Sequence, residues 1–229
     1  MRKILIILLL LSLMWNSQAQ VARVQNNPDY DFKLIRFGFT VGFNTMDFGI
    51  RRPVTTNYFA DVSSIAPGFQ VSIVSELRLG EYFGLRFLPG ITFGQRTLNF
   101  FVDSTFDTRM QLESNFLDFP LLIKYKSKRV NNYRPYFVAG ANVRYDLAAR
   151  KDYEEDSNIY VRLKPFDVYF EIGFGVDFYL QYFKLSPELK LSVGMRDVLV
   201  DDPAEGFPQY VNSIDRLNSY VVMLCFHFE

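Results

Sequence analysis

The sequence is poor in the residues that most active-site chemistry needs. It holds one cysteine, Cys225, one histidine, His227, and one tryptophan, Trp15. A lone cysteine excludes an internal disulfide. A lone histidine excludes a Ser/His/Asp arrangement anywhere away from His227. Net charge is missing too, since 25 Lys and Arg balance 25 Asp and Glu, so bulk electrostatics give no pull towards nucleic acid. After the first residues no apolar run approaches the roughly 20 residues of a membrane-spanning helix. No low-complexity block and no internal repeat is present. What the chain does have is aromatic side chains, 24 Phe and 14 Tyr.

The N-terminus reads as a secretory signal peptide over residues 1–19. Arg2 and Lys3 supply the positive start, Ile4 to Trp15 the apolar stretch, and Ser17-Gln18-Ala19 the small residues before a cut. An anchor helix is the alternative, and the apolar run is short for it. Residues 20–31 are polar, contain Asn26-Asn27-Pro28, and are expected as a flexible periplasmic lead-in. The rest, 32–229, is expected as one all-β domain.

The pattern in 166–178 is the clearest. Phe166, Val168, Phe170, Ile172, Phe174, Val176 and Phe178 alternate with Asp167, Tyr169, Glu171, Gly173, Gly175 and Asp177. Period two marks a strand with two chemically different faces. Eight such stretches occur, at 32–44, 68–79, 83–97, 115–126, 135–147, 166–178, 183–194 and 218–229. A tilted strand needs about 9–11 residues to cross a bilayer. Pro89, Pro120 and Pro187 fall inside strands and predict bulges, because proline removes a ladder donor.

The connections 45–67, 98–114, 148–165 and 195–217 are long and polar, and they alternate with short ones at 80–82, 127–132 and 181–182. Tyr82, Tyr125, Tyr133, Tyr179 and Tyr182 gather at the short-turn end, as an interfacial girdle would; ordinary β-propensity also favours Tyr. Taken together, the expected fold is an eight-stranded antiparallel up-and-down transmembrane β-barrel with short periplasmic turns and four longer extracellular loops. Alternation alone also fits a water-soluble barrel with its apolar face inside. Three features favour lipid outside. The polar face is rich in glycine, as a narrow interior filled by side chains requires. The apolar face carries essentially no charge. Alternate apolar residues run back from Phe228 to Tyr220, similar to the terminal signal read by outer-membrane insertion machinery, although Glu229 departs from it.

With lipid outside, the inward face carries Arg36, Arg78, Arg86, Arg96, Lys124, Arg144, Lys184 and Lys190, and also Glu76, Asp118, Asp146, Asp167, Glu171, Asp177 and Glu188. Charges in so narrow a lumen must be paired. A salt-bridged plug is expected in preference to an ion path, since eight strands leave little room for water. His227 and Cys225 read as inward packing groups. Asp61, Asp103, Asp107, Asp201, Asp202 and Glu205 read as solvated loop charges, and adjacent acids such as Asp201-Asp202 point apart on most backbones. No catalytic, cofactor or metal site is expected.

Several segments carry a family resemblance. These are Phe37-Gly38-Phe39-Thr40-Val41-Gly42-Phe43-Asn44-Thr45-Met46-Asp47-Phe48, Phe116-Leu117-Asp118-Phe119-Pro120-Leu121-Leu122-Ile123-Lys124-Tyr125 and Arg134-Pro135-Tyr136-Phe137-Val138-Ala139-Gly140. The chain resembles the PorT-type outer-membrane barrels of type IX secretion. That resemblance implies a non-enzymatic role in assembling or operating a machine that exports proteins with a C-terminal sorting signal. The implied partners are outer-membrane lipids and other secretion components, with no nucleic acid. A structural or adhesin-like barrel is the alternative, and an outer-leaflet lipid-modifying enzyme the third reading. Within 46–59, Phe48, Ile50, Arg51, Arg52, Tyr58 and Phe59 are the expected partner contact, since Arg beside aromatics is typical of interface anchors. The same loop merely folded over the barrel mouth is the competing reading.

Overall fold

The computed structural model describes residues 25–53, 58–62, 66–102, 105–149, 161–200 and 208–229. The expected signal peptide, the first part of the lead-in and Asp103, Asp201, Asp202 and Glu205 lie outside the described residues. The strands are β1 (Ile35–Arg51), β2 (Tyr58–Asp61), β3 (Pro67–Arg78), β4 (Phe83–Phe87), β5 (Gly90–Val102), β6 (Thr105–Lys126), β7 (Tyr133–Asp146), β8 (Phe166–Tyr179), β9 (Lys184–Gly194) and β10 (Arg216–Phe228). One short helix, α1, covers Pro208–Asn212. All strand pairs are antiparallel, and the sheet closes because β1 pairs with both β10 and β3. β4 and β5 form one stave, and β2 is an outlying strand on β5, so the ten strands make a ring of eight staves.

Side chains alternate as the sequence predicts. Along β8 every residue from Asp167 to Tyr179 at odd positions is buried, while the Phe residues between them are exposed. Outside lie Phe37, Phe39, Phe43, Ile73, Ile123, Phe137, Ile172 and Leu189, each about half exposed or more. A soluble protein would not leave such a belt in water; in lipid it costs nothing.

The three strand prolines do not make bulges. Register runs unbroken from Ser75↔Phe87 to Ser72↔Gly90 around Pro89, through Pro120↔Asn142, and through Phe226↔Pro187. Pro89 still accepts from Ile73 N–H (2.9 Å), and Pro120 from Leu88 N–H (3.3 Å). Each proline gives up only the donor half of one pair, and the ring on both sides holds the register. The irregularity falls instead between Phe100 and Phe101, in the β5–β6 pairing.

Strands overrun the predicted limits at the end with the long connections. The expected loop 98–114 is mostly strand: β5 runs to Val102 and β6 starts at Thr105. β1 and β10 also continue, to the pair Arg51↔Arg216. Here the alternation changes phase. In the lower barrel Phe39, Val41 and Phe43 face out; above it Met46 and Phe48 face in and are buried, while Asp47 is exposed. On β6 the exposed outward set passes from Phe119 and Leu121 to Glu113, Gln111 and Arg109, while Leu112 and Met110 turn inward. The switch marks where the outer solvent changes from lipid to water.

At the other end, the described part of the lead-in is tied down rather than loose. Residues 28–32 form a 3-10 turn. Asn26 and Asn27 side chains donate to the Tyr179 and Leu180 carbonyls (both 3.0 Å). Asp31 accepts from Tyr179 hydroxyl (2.8 Å) and pairs with Arg134 (3.2 Å) and Arg129 (3.3 Å). Burial alone raises the Asp31 pKa, but the Tyr179 hydrogen bond and the two arginines outweigh it and hold the carboxyl below its usual range.

Two outcomes follow. A Cβ on Gly140 would overlap the Leu121 backbone carbonyl, which a flexible neighbour cannot relieve. Gly140→Val is therefore expected to lose on the order of 1–3 kcal/mol, read as a lower urea midpoint for loss of the heat-modifiable folded band; an unchanged midpoint contradicts the close packing. For Asp31 the depressed folded-state pKa means its contribution is complete above the unfolded value near 4 and is lost as pH falls through the lower folded value. Asp31→Asn should release residues 25–33 to protease at neutral pH, whereas the parent stays protected there.

Candidate functional site

The interior is the most chemically elaborate part of the molecule. Near the short-turn end Glu76 is a hub. Its carboxylate meets Arg36 (2.9 Å), Arg86 (2.9 Å), Lys126 (3.0 Å) and Lys124 (3.6 Å). Lys124 also bonds Asp177 (2.8 Å), which accepts from Ser186 (2.6 Å) and lies 3.8 Å from Lys184. Glu188 joins Arg86 (3.2 Å), the Tyr136 hydroxyl (2.9 Å) and His227 (3.3 Å), and the His227 Nδ1 meets Thr40 (2.6 Å). Glu229 turns its side chain inward onto Lys184 (2.8 Å), Arg86 (3.2 Å) and the Tyr30 hydroxyl (3.0 Å). That contact accounts for a carboxylate at the place where an outward aromatic is expected.

A second layer sits nearer the long-connection end. Arg144 bridges Asp118 (2.5 Å) and Glu171 (3.1 Å), Lys190 bonds Glu171 (2.9 Å), and Asn142 donates to both carboxylates. Thr92 donates to Asp118. Arg96 pairs with Asp146 (3.2 Å) and donates to Ser114 and Ser219. Aromatic faces take up the remaining cationic surface: Lys124 lies 3.7 Å from the Tyr136 ring centre, Arg144 4.3 Å from Tyr169, and Arg96 4.3 Å from Phe48. The layers are separated and topped by apolar groups, Val74, Leu88, Leu122 and Val138 in one cluster and Met46, Val221, Met223 and Cys225 in another.

Two residues expected in the network stand apart from it. Arg78 is half-buried at the rim, lying over the Phe32 ring and donating to the Gly80 carbonyl (3.3 Å). It is the last residue of β3, where the lumen opens and solvent replaces an ionic partner. Asp167 faces inward but accepts backbone N–H groups of Val168 (2.7 Å) and Arg196 (3.3 Å), with no salt bridge among the described residues. Conversely, Lys126, Glu229, Arg134, Arg129 and Asp31 belong to the network and were not anticipated. Lys126 keeps the inward parity of Lys124 and is the last residue of the expected strand 115–126, so carrying the alternation to the end of that strand finds it.

Above the lumen the connections build an apolar cap. Phe48, Ala60, Leu98, Phe100, Met110, Leu112, Val161, Leu163, Val198, Leu199, Tyr210, Val211, Ile214 and Leu217 form one buried cluster, with Ile50 packed against it. The expected contact set is thereby divided. Phe48 is 6% exposed and Ile50 is half-buried, so neither presents a partner surface. Their inward parity on β1 commits them to the cap. Tyr58 packs edge-on to Tyr210. Arg51 lies on β1 and pairs with Asp215 (3.4 Å), and Arg52 pairs with Asp61 (3.2 Å) and stacks over Phe59. Phe59 stacks on Phe101, which meets Phe106 edge-on, and Phe106 is exposed. The exposed remainder is thus Arg51, Arg52 and Phe106, the last at the end of a half-buried aromatic strip across three strands.

Among comparisons with known proteins, no curated protein matches the chain in sequence. Similar solved structures include outer membrane protein OprG from Pseudomonas aeruginosa, with TM-score 0.49 and 14% identity over 85% of this chain and 93% of that one. Neisserial surface protein A gives TM-score 0.44 and 11% identity over 85% and 98%. AlkL, determined in DMPC bilayers by solid-state NMR, gives TM-score 0.41 and 11% identity over 93% and 95%. A family model described as an outer membrane protein beta-barrel domain matches residues 18–200, which is most of the sequence, and the chain belongs to that family of outer-membrane β-barrels.

Proposed function

We propose that this protein is a non-conducting, non-enzymatic outer-membrane barrel that serves as a scaffold or adaptor in the assembly or operation of type IX protein secretion. The observation that carries the scaffold reading is the filled lumen. Fully buried Arg86, Arg144, Lys124 and Lys184 occupy the cross-section in which a channel would hold water, and the cap core lies across its mouth. An object of this kind works through what it displays outside the bilayer. The secretion assignment is supported by the resemblance of 37–48, 116–125 and 134–140 to PorT-type barrels. In this reading the long connections face outwards and the lead-in faces the periplasm. The contact surface is exposed Arg52 and Phe106 with half-buried Phe59 and Phe101 between them, a refinement of the 46–59 loop.

The plug has direct tests. Purified protein in planar bilayers should give no stable current steps, and porin-sized steps would sink the plug. Glu76→Gln keeps the shape of the hub but leaves four cations short of a counter-charge. Loss of one partner in a buried pair typically costs about 3–5 kcal/mol, so the urea midpoint should fall sharply; an unchanged midpoint removes the structural role given to Glu76.

The secretion role has a separate test. A deletion strain should accumulate cargo bearing the C-terminal sorting signal inside the cell, and a strain that secretes normally excludes the role. In the double variant Arg52→Ala, Phe106→Ala the barrel should insert as before while co-purification with other secretion components weakens. Undiminished co-purification takes this strip out of the contact surface.

A further inference from the structure

One lipid-facing position breaks the apolar rule. Below the crossing, the outward residues of the strands are aliphatic, proline or aromatic, except Ser75 on β3. Its outward parity is set by buried Val74 and Glu76 on either side. It stands directly opposite Phe37 of β1 and Phe87 of β4. Both rings are exposed, Phe37 at 69% and Phe87 at 39%, and directly opposite side chains in a sheet start about 5 Å apart. A serine between two phenylalanines leaves a furrow along β3, with exposed Leu77 at its rim end and exposed Ile73 at its inner end. The Ser75 hydroxyl has no hydrogen-bond partner among the described residues. A hydroxyl that faces hydrocarbon needs one.

The furrow leads up to a cationic rim. Arg78 is the last residue of β3, and its guanidinium lies 5.7 Å from the centre of the exposed Phe32 ring. Lys33, next to Phe32, is exposed. The two segments are joined by Arg78 N–H to the Leu34 carbonyl (2.8 Å). Exposed Leu34 and Leu79 surround the cations with apolar surface. Neither Arg78 nor Lys33 has an ion pair among the described residues, and exposed Glu81 in the turn after β3 pairs with neither. Residues 1–24 contain no Asp or Glu, so the start of the chain brings no counter-charge.

Depth links the two features. Ser75 lies three residues below Arg78, about 10 Å along β3 and, at a strand tilt near 40°, roughly 7–8 Å in depth. The polar layer of a bilayer is about 5–8 Å thick on each side. A cation at the outer edge of that layer therefore sets Ser75 at its inner edge, where acyl esters lie, and sets Ile73 in hydrocarbon.

We propose that this furrow binds a glycerophospholipid of the leaflet at the short-turn end. Its phosphate meets Arg78 and Lys33, one ester carbonyl accepts from the Ser75 hydroxyl, and the acyl chain starts between Phe37 and Phe87 and runs on over Ile73. The order of cation, hydroxyl and apolar furrow is the order of phosphate, ester and chain in such a lipid. A free phosphate would satisfy the cations alone and leave Ser75 unmet. The site stands independently of any secretion role.

The test is native mass spectrometry on the purified full chain in detergent. It is titrated with phosphatidylglycerol, with the ether-linked analogue that lacks the ester carbonyls, and with inorganic phosphate. Phosphatidylglycerol should fill one saturable site, and the ether analogue should bind about three- to tenfold more weakly, the share of one neutral hydrogen bond. Ser75→Ala should weaken the ester lipid by the same factor and leave the ether analogue unchanged. Arg78→Gln should weaken both about tenfold or more, as loss of a charge-assisted bond does. Both side chains stand apart from the lumen network, so the folded band should persist in each variant. Inorganic phosphate should not displace the lipid. Equal binding of ester and ether forms, parental binding by Arg78→Gln, uptake without saturation, or displacement by phosphate would each overturn the proposal.

Discussion

The constraint on which the rest depends is that a ring of eight staves encloses side chains and no bulk water. A carboxylate inside it cannot be solvated, and leaving it unpaired costs several kcal/mol. The inward charges therefore meet partners supplied by other staves, apart from Asp167 near the rim, which is met by backbone N–H groups. Glu76 satisfies this with cations from β1, β4 and β6, and Glu229 and Tyr30 bring the chain's two ends into the same network. Glycines such as Gly84, beside the Glu76 carboxylate and the Lys126 ammonium, leave the volume that long side chains take up.

The outer wall obeys the same alternation under two solvents. Between Phe43 and Met46 on β1, and between Leu117 and Leu112 on β6, the apolar residues cross from the outside of the ring to the inside. Below the crossing the outside is lipid and the interior is polar and paired. Above it the outside is water, and the interior becomes a hydrophobic core of the ordinary soluble kind. On β1 and β6 the wall thus changes from membrane-facing to the shell of a soluble-type core while the ladders with β10 and β5 run on through the crossing.

This crossing explains what could be read from the sequence. The eight staves and the facing of Lys124, Arg144 and Glu171 follow from period two, which depends only on neighbours in the chain. Partner choice was not legible, because it depends on register between staves: Arg36 could have met Arg78 or Glu76. The cap was missed for another reason. Leu98, Phe100, Met110 and Leu112 carry a regular alternation, but in opposite phase to the lower barrel. A search for one phase reads such a stretch as loop. The prolines failed as bulge markers because each lacks one donor in a ring already fixed on both sides.

Parity and register are set by different forces. A slip of one residue would bury outward Phe side chains in the lumen and put Arg and Glu into lipid, so hydrophobic alternation forbids it. A slip of two residues keeps every face correct, and alternation cannot forbid that. Charge can. Arg36 stands opposite Glu76 and Asp118 opposite Arg144; moving β3 by two residues against β1 would set Arg36 opposite Val74 or Arg78, and so strand both ions. Apolar packing of equal volume is often as stable as a buried ion pair, so stability alone gives no reason to keep so many charges in the lumen. Selection among same-parity registers does.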